Sequence, residues 1–169
     1  MDILIVAAGK GRGTEEQALA ERWTGRAAGL GRAHGIGTVD IREADDRLPA
    51  KTPAREAKRL VTDRLLAIAN PTQNAGPAPL CVPLDSSGQV LSSEVLAARL
   101  EGLRDRGTGK LAFLIGASNG LALEHVPAPP LVLSFGAATW PHLLVRAMLA
   151  EQIYRALTIL AGHPYHRDA

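Results

Sequence analysis

KLAFLIGASNG, residues 110–120, decides the fold. Leu111 to Ile115 is an unbroken apolar run of strand length, stopped by Gly116. A strand apolar on both faces must be covered on both faces, which is the signature of a parallel sheet between helices. The same pattern recurs outward from it. Ile3 to Ala8 is apolar and closes on Gly9; Thr38 to Ile41, Leu80 to Leu84 and Leu131 to Phe135 are further short strands. Helical stretches alternate with them. Thr14, followed by Glu15 and Glu16, opens a helix to about Gly29. A second runs from about Pro53 to Ala69, and a third opens at Ser92-Ser93-Glu94 and reaches about Arg104. Strands alternating with helices predict an α/β domain with a largely parallel sheet and helices on both faces. Asn70 to Pro79 reads as a loop, and Asp85-Ser86-Ser87-Gly88 as a turn.

The final stretch, Trp140 to Ala169, reads as one long helix with a polar, aromatic tail. Pro141 suits the first helical turn and Thr139 could cap it; Gly162 fits the position after the helix, and Pro164 stops continuation. At 100° per residue, His142 and Arg146 share one side, while Glu151, Tyr154, Arg155 and Thr158 gather opposite. Leu143, Leu144, Met148, Ile153, Leu157 and Leu160 spread over the remaining directions. A surface helix shows one apolar stripe. This one fits either a position between two bodies, one of them a second copy of the chain, or the core of a monomer. The tail His163-Pro164-Tyr165-His166-Arg167 is built of contact-making side chains, although termini commonly fray.

The chain of 169 residues has the size of one ordinary domain, taken as 1–169, with no internal repeat. It is 46% hydrophobic and 21% charged, with a net charge of +2. That balance permits an anionic partner without demanding one. A lone cysteine, Cys81, excludes an intrachain disulfide framework; in its apolar run it reads as buried filler. No secretory signal and no run of roughly 20 apolar residues is present, so a soluble, cytoplasmic protein without membrane contact is expected.

Ligands of open α/β sheets bind beyond the carboxyl ends of the strands. Three such ends are candidates: Leu84-Asp85, Gly116 to Gly120, and Phe135 to Trp140. Small residues there leave backbone groups uncovered, so a flat ring could approach closely. The competing site is Gly9-Lys10-Gly11-Arg12-Gly13 after the first strand, with Asp40 in the second. Its G-x-G-x-G spacing departs from the G-x-G-x-x-G dinucleotide fingerprint, and it reads better as a flexible turn presenting Lys10 and Arg12. The basic side of the second helix, with Arg55, Lys58, Arg59 and Arg64 against Glu56 and Asp63, reads as a solvated face, a phosphate contact being the lesser alternative. His163 and His166 lack a third ligand, so no metal site is expected.

At this point the residues become specific. FLIGASNG at 113–120, TWPHLLVRAMLAEQIYRA at 139–156 and HPYHR at 163–167 resemble the SPOUT-class ribosomal large-subunit methyltransferase H family. VAAGK at 6–10, PLDSSG at 83–88 and LSSE at 91–94 extend the resemblance over nearly the whole chain. The resemblance implies an α/β sheet whose C-terminal segment forms a trefoil knot, an exception to the usual avoidance of knots. It implies S-adenosylmethionine bound by Leu84, Gly116 and the loop Phe135, Gly136, Ala137, Ala138, Thr139 and Trp140. It implies a homodimer with C-terminal helices in the interface. The implied substrate is N3 of a pseudouridine in 23S rRNA, recognised on the assembled ribosome. The family's usual loop is I-G-G-x-x-G; here Ala117 replaces the second glycine and Asn119 precedes Gly120, so the turn is expected to differ or to bear strain.

Methyl transfer needs in-line placement of nucleophile and methyl group, and help in removing the imide proton. Arg146 is the candidate for holding developing negative charge or a phosphate. His142, Tyr165 and His166 are candidates for positioning or deprotonating the base. Glu151 and Arg155 read as an interface ion pair. Replacing Arg146 with Ala is expected to abolish methylation with dimerisation intact. The low charge implies binding through the shape of the assembled subunit rather than to free rRNA. Two other readings stand beside this one: a catalytically silent dimeric RNA-binding module, and a Rossmann-like nicotinamide-dependent enzyme using Gly9 to Gly13 and Asp40.

Overall fold

The computed structural model describes residues 1–71 and 77–165; part of the 70–79 loop, and His166 and Arg167 of the tail, lie outside the described residues. Five strands and four long helices follow in order: β1 Asp2–Ala8, α1 Glu15–Gly31, β2 Val39–Ala44, α2 Ala54–Ala69, β3 Leu80–Val90, α3 Ser93–Asp105, β4 Lys110–Ile115, β5 Leu133–Ser134 and α4 His142–Leu160. The strands lie in the order β2-β1-β4-β3-β5, and every pairing is parallel. Because side chains alternate along a strand, each central strand feeds two cores. Ile3, Ile5 and Ala7 with Leu111, Phe113 and Ile115 pack on the face that carries α1, α3 and α4. Val6, Ala8, Ala112 and Leu114 pack on the other face with Val61, Leu65 and Ala69 of α2. Each fully buried Leu, Ile or Phe here contributes roughly 1.5–3 kcal/mol.

The helix starts follow their sequence signals in two cases. Thr14 Oγ1 accepts from Gln17 N at 3.2 Å, and Ser92 Oγ from Val95 N at 3.3 Å. Helix α4 differs at its start. Pro141 occupies the capping position in extended geometry, with no side-chain hydrogen bond. Thr139 stands two residues outside, too far back to cap. The far end behaves as its residues dictate: Gly162 takes φ +60°, and the amides of Gly162 and His163 donate to Ile159 O and Thr158 O, closing the helix.

Two strands depart from expectation. β3 continues through the Asp85–Gly88 turn instead of ending there. The turn forms, since Asp85 Oδ1 accepts from Ser87 N at 2.9 Å, but as an excursion within the strand. Leu84 and Gln89 both align with Leu133 of β5, and residues 85–88 loop out between them. A side chain on Gly88 would lie 2.6 Å from Val132 O, so only glycine lets the two segments meet. β5 keeps only Leu133–Ser134 of the five residues predicted, because its partner is interrupted by that excursion.

None of the nineteen residues of α4 is exposed. The helix crosses the sheet between α1 and α3, which accounts for most of its many apolar directions within one chain. Leu144 and Met148 remain on its open side.

Candidate active site

The carboxyl ends of β3, β4 and β5 converge on a cavity of about 680 Å³. Leu84, Gly116, Phe135, Gly136, Ala137, Ala138, Thr139 and Trp140 all line it. So does His142, at the start of α4. Its walls are backbone for a physical reason. A Cβ on Gly116 would sit 2.9 Å from the Gly120 carbonyl carbon and oxygen, so any other residue would push the loop after β4 out of place. That loop closes through Gly120 N, which donates to Ala117 O at 2.8 Å while Gly120 takes φ +79°. The positive φ falls on Gly120, and Ala117 keeps an ordinary negative φ, so the alanine brings no strain. The third loop is tied to the first by Ser134 Oγ, which accepts from Gly136 N at 3.1 Å and donates to Ser86 O at 3.4 Å. Trp140 Nε1 donates back to Phe135 O at 3.4 Å, closing the loop on itself.

Charge enters only at the rim. A methyl placed on Gly120 would stand 4.0 Å from Lys58 Nζ and 3.9 Å from Asp85 Oδ2. Lys58 therefore reaches the cavity, although helical periodicity put it on a solvated face. Its helix is held there by Thr62, whose hydroxyl donates to Lys58 O at 2.8 Å and accepts from Ala122 N at 3.0 Å. The signal available in the sequence was this one threonine in an apolar stripe. Away from the lining, His142 Nε2 lies 3.0 Å from where a Gly9 side chain would begin, and Asp46 Oδ2 lies 3.2 Å from the same point.

Arg146 does not line this cavity. Its side chain is fully buried beneath the ends of β1 and β2. Nη2 donates to Ala8 O and Gly9 O, each at 2.6 Å, and Nη1 donates to Glu43 Oε1 at 2.8 Å. Its Nε is buried with no hydrogen-bond partner among the described residues. Burial pulls the guanidinium pKa down, opposed by the hydrogen bond and charge of Glu43, and an arginine stays charged throughout. Tyr165 lies in a different place again. Its ring meets Tyr154 edge-on at 4.9 Å and tilts against Trp23 at 5.9 Å, with the Arg155 guanidinium 5.0 Å from its centre. Its hydroxyl donates to Glu151 Oε1 at 3.1 Å. Burial first, then the facing Glu151 carboxylate, raise the Tyr165 pKa, so near neutrality it is a hydrogen-bond donor. Glu151 and Arg155 pair with one another along α4 at 2.6 Å. Of the four catalytic candidates the fold thus brings only His142 to the cavity; His166 lies outside the described residues.

The front turn offers no dinucleotide cradle. Gly11 N, the amide a pyrophosphate would need, is taken by Glu43 Oε1 at 2.6 Å, and Asp40 is exposed along β2.

The sequence model described as "Predicted SPOUT methyltransferase" matches residues 1–166. The chain belongs to the SPOUT methyltransferase family. Among this family's curated members it is 44% identical over 167 residues to "Ribosomal RNA large subunit methyltransferase H" of Rhodopseudomonas palustris (strain TIE-1), covering 99% of each chain. It is 40% identical over 171 residues to the protein of that name from Methylocella silvestris, covering 99% of this chain and 100% of the other. The Rhodospirillum centenum protein of the same name is 42% identical over 167 residues, again covering 99% of each.

Proposed function

We propose that the chain transfers a methyl group from S-adenosylmethionine to N3 of a pseudouridine in 23S rRNA, acting as a cytoplasmic homodimer on the assembled large subunit. The observation that carries the reading is the convergence of all eight expected donor contacts on one cavity. The cavity fits such a donor: its volume lies in the range of cofactor sites, and its backbone-rich walls admit a flat purine. Leu84, Gly116 and the 135–140 loop would hold the donor, which supplies an electrophilic methyl group. The C-terminal knot of the family belongs to this reading, since the 135–140 loop and α4 follow β5 at the cavity.

The chain's own contribution is placement and a proton acceptor. The closed loops would hold the donor and orient the incoming base against it, which converts an encounter into a positioned reaction. His142, at the cavity wall, would accept the imide proton that the base gives up on methylation. Within one chain Tyr165 packs away from the cavity, so a part for it, or for His166, would come from the second subunit.

The homodimer is supported by an apolar groove beside α4. Leu19, Trp23, Leu91, Leu144 and Met148 line it, and Val90 at its edge is 69% exposed. The experiment is transfer of labelled methyl groups from S-adenosylmethionine to large subunits with and without pseudouridine. Labelling only where pseudouridine is present is expected. Gly116→Ala should lose donor binding by calorimetry and activity together. Equal labelling of subunits lacking pseudouridine would refute the base assignment, and nicotinamide binding in place of the sulfonium would refute the activity.

A further inference from the structure

We infer that the Gly9–Gly13 turn is a preformed contact for RNA phosphates, in which Lys10 and Arg12 hold the backbone of the ribosomal substrate beside the donor cavity. The inference rests on the methyltransferase reading above. Two of its five residues, Gly9 and Gly11, are held at both their amide and their carbonyl. Gly9 N donates to Ala44 O at 2.9 Å, and Gly11 N to Glu43 Oε1 at 2.6 Å. The Thr14 amide and hydroxyl both donate to Gly11 O, at 3.0 and 2.8 Å. The carbonyls of Ala8 and Gly9 are held by the buried Arg146. The glycines let the backbone press against α4. A Cβ on Gly11 would lie 3.0 Å from each of Arg146 Nη1, Gln17 Oε1 and Leu143 Cδ2. Gly9, at φ +83°, has His142 Nε2 at the same distance.

What this frame presents is two cations. Lys10 and Arg12 are exposed, and neither forms a hydrogen bond or close ion pair among the described residues. Two of the nearby carboxylates are already engaged inside the chain, and a third, Asp46, stands at Gly9 beside His142. Glu43 takes Arg146 and Gly11, and Asp45 takes Arg47 at 2.6 Å. Glu15 and Glu21 share a shallow groove with Arg12 on the α1 side, which turns a phosphate toward Lys10 and His142 instead. His142 joins the two regions, since it lines the donor cavity and abuts Gly9. A nucleotide whose base enters past His142 carries its flanking phosphates over this turn. A chain of net charge +2 has little general attraction for RNA, so its phosphate contacts must be local and rigid, where little ordering entropy is lost on binding.

The test is the double variant Lys10→Ala/Arg12→Ala, whose exposed side chains can be removed without disturbing the frame. The KM for large subunits should rise about tenfold, and the slope of log KM against log salt should fall by about two. Donor affinity by calorimetry should not change. Lys10→Arg/Arg12→Lys should restore the wild-type KM. Cosedimentation with subunits reads the contact without chemistry. If wild type binds subunits but transfers no methyl, the methyltransferase reading fails alone, and lost binding in the double variant still supports the contact. If the double variant binds and turns over like wild type, or wild type does not bind subunits, the inference is overturned.

Discussion

Arg146 shows how far a single residue's setting governs its use. Helical spacing puts it one turn after His142, on the same side of α4, and that much holds. Its guanidinium nevertheless points under the sheet end, where two carbonyls and Glu43 take its planar fork of donors. Removing it strips the Ala8 and Gly9 carbonyls of this donor and leaves half-buried Glu43 with the Gly11 amide alone, so Arg146→Ala should cost about 3 kcal/mol of stability, read as a lower urea midpoint. Arg146→Lys should recover little, because a point charge cannot reproduce the fork. Wild-type stability with loss of methyl transfer alone would instead return Arg146 to the substrate. Ala117 makes the converse point. Its loop places the left-handed residue at Gly120, so an alanine fits where a glycine is usual.

At the scale of elements, one hydroxyl links helix to site. Thr62 is completely buried in α2, and it joins that helix to Ala122 beyond the Gly116–Gly120 loop. Thr62→Val keeps the shape and strands the Ala122 amide. It should cost about 1–3 kcal/mol and weaken donor binding, because Lys58 and the Gly116–Gly120 loop lose their common anchor. Unchanged donor affinity in a variant destabilised by that amount would show the link to be purely structural. The β3 excursion is the second device of this kind. It carries Asp85 and Ser86 out of the strand and into the cavity wall, and Gly88 lets the chain return to pair beside Val132.

At the scale of the whole molecule, the apolar groove beside α4 and the cavity at the strand ends share a wall. Ser134 and Phe135 line both. Association and donor binding should therefore be coupled. Met148→Glu places a charge on the open side of α4, within the groove. Sedimentation should show a monomer, and calorimetry a weaker donor complex, with the strand and helix content retained. A dimeric Met148→Glu protein would remove this face from the interface.

The apolar runs determined the parallel sheet, its two covered faces and the helices between its strands, because burial on both sides demands unbroken hydrophobicity. Glycine and proline punctuation determined where the three loops of the cavity lie, since those residues act through their own backbone. The motifs at 113–120 and 139–156 then pointed to residues that the fold gathers around one cavity. Other features were decided only when distant segments met. Whether Arg146 faced a cavity or a sheet end depended on Ala8, Gly9 and Glu43, more than one hundred positions away. Tyr165 was drawn to Trp23 and Tyr154, and Lys58 was carried to the rim by a hydrogen bond between α2 and the β4 loop. Periodicity tells which side of a helix a residue is on. What stands opposite that side is set by packing between elements, and one-dimensional spacing holds no record of it.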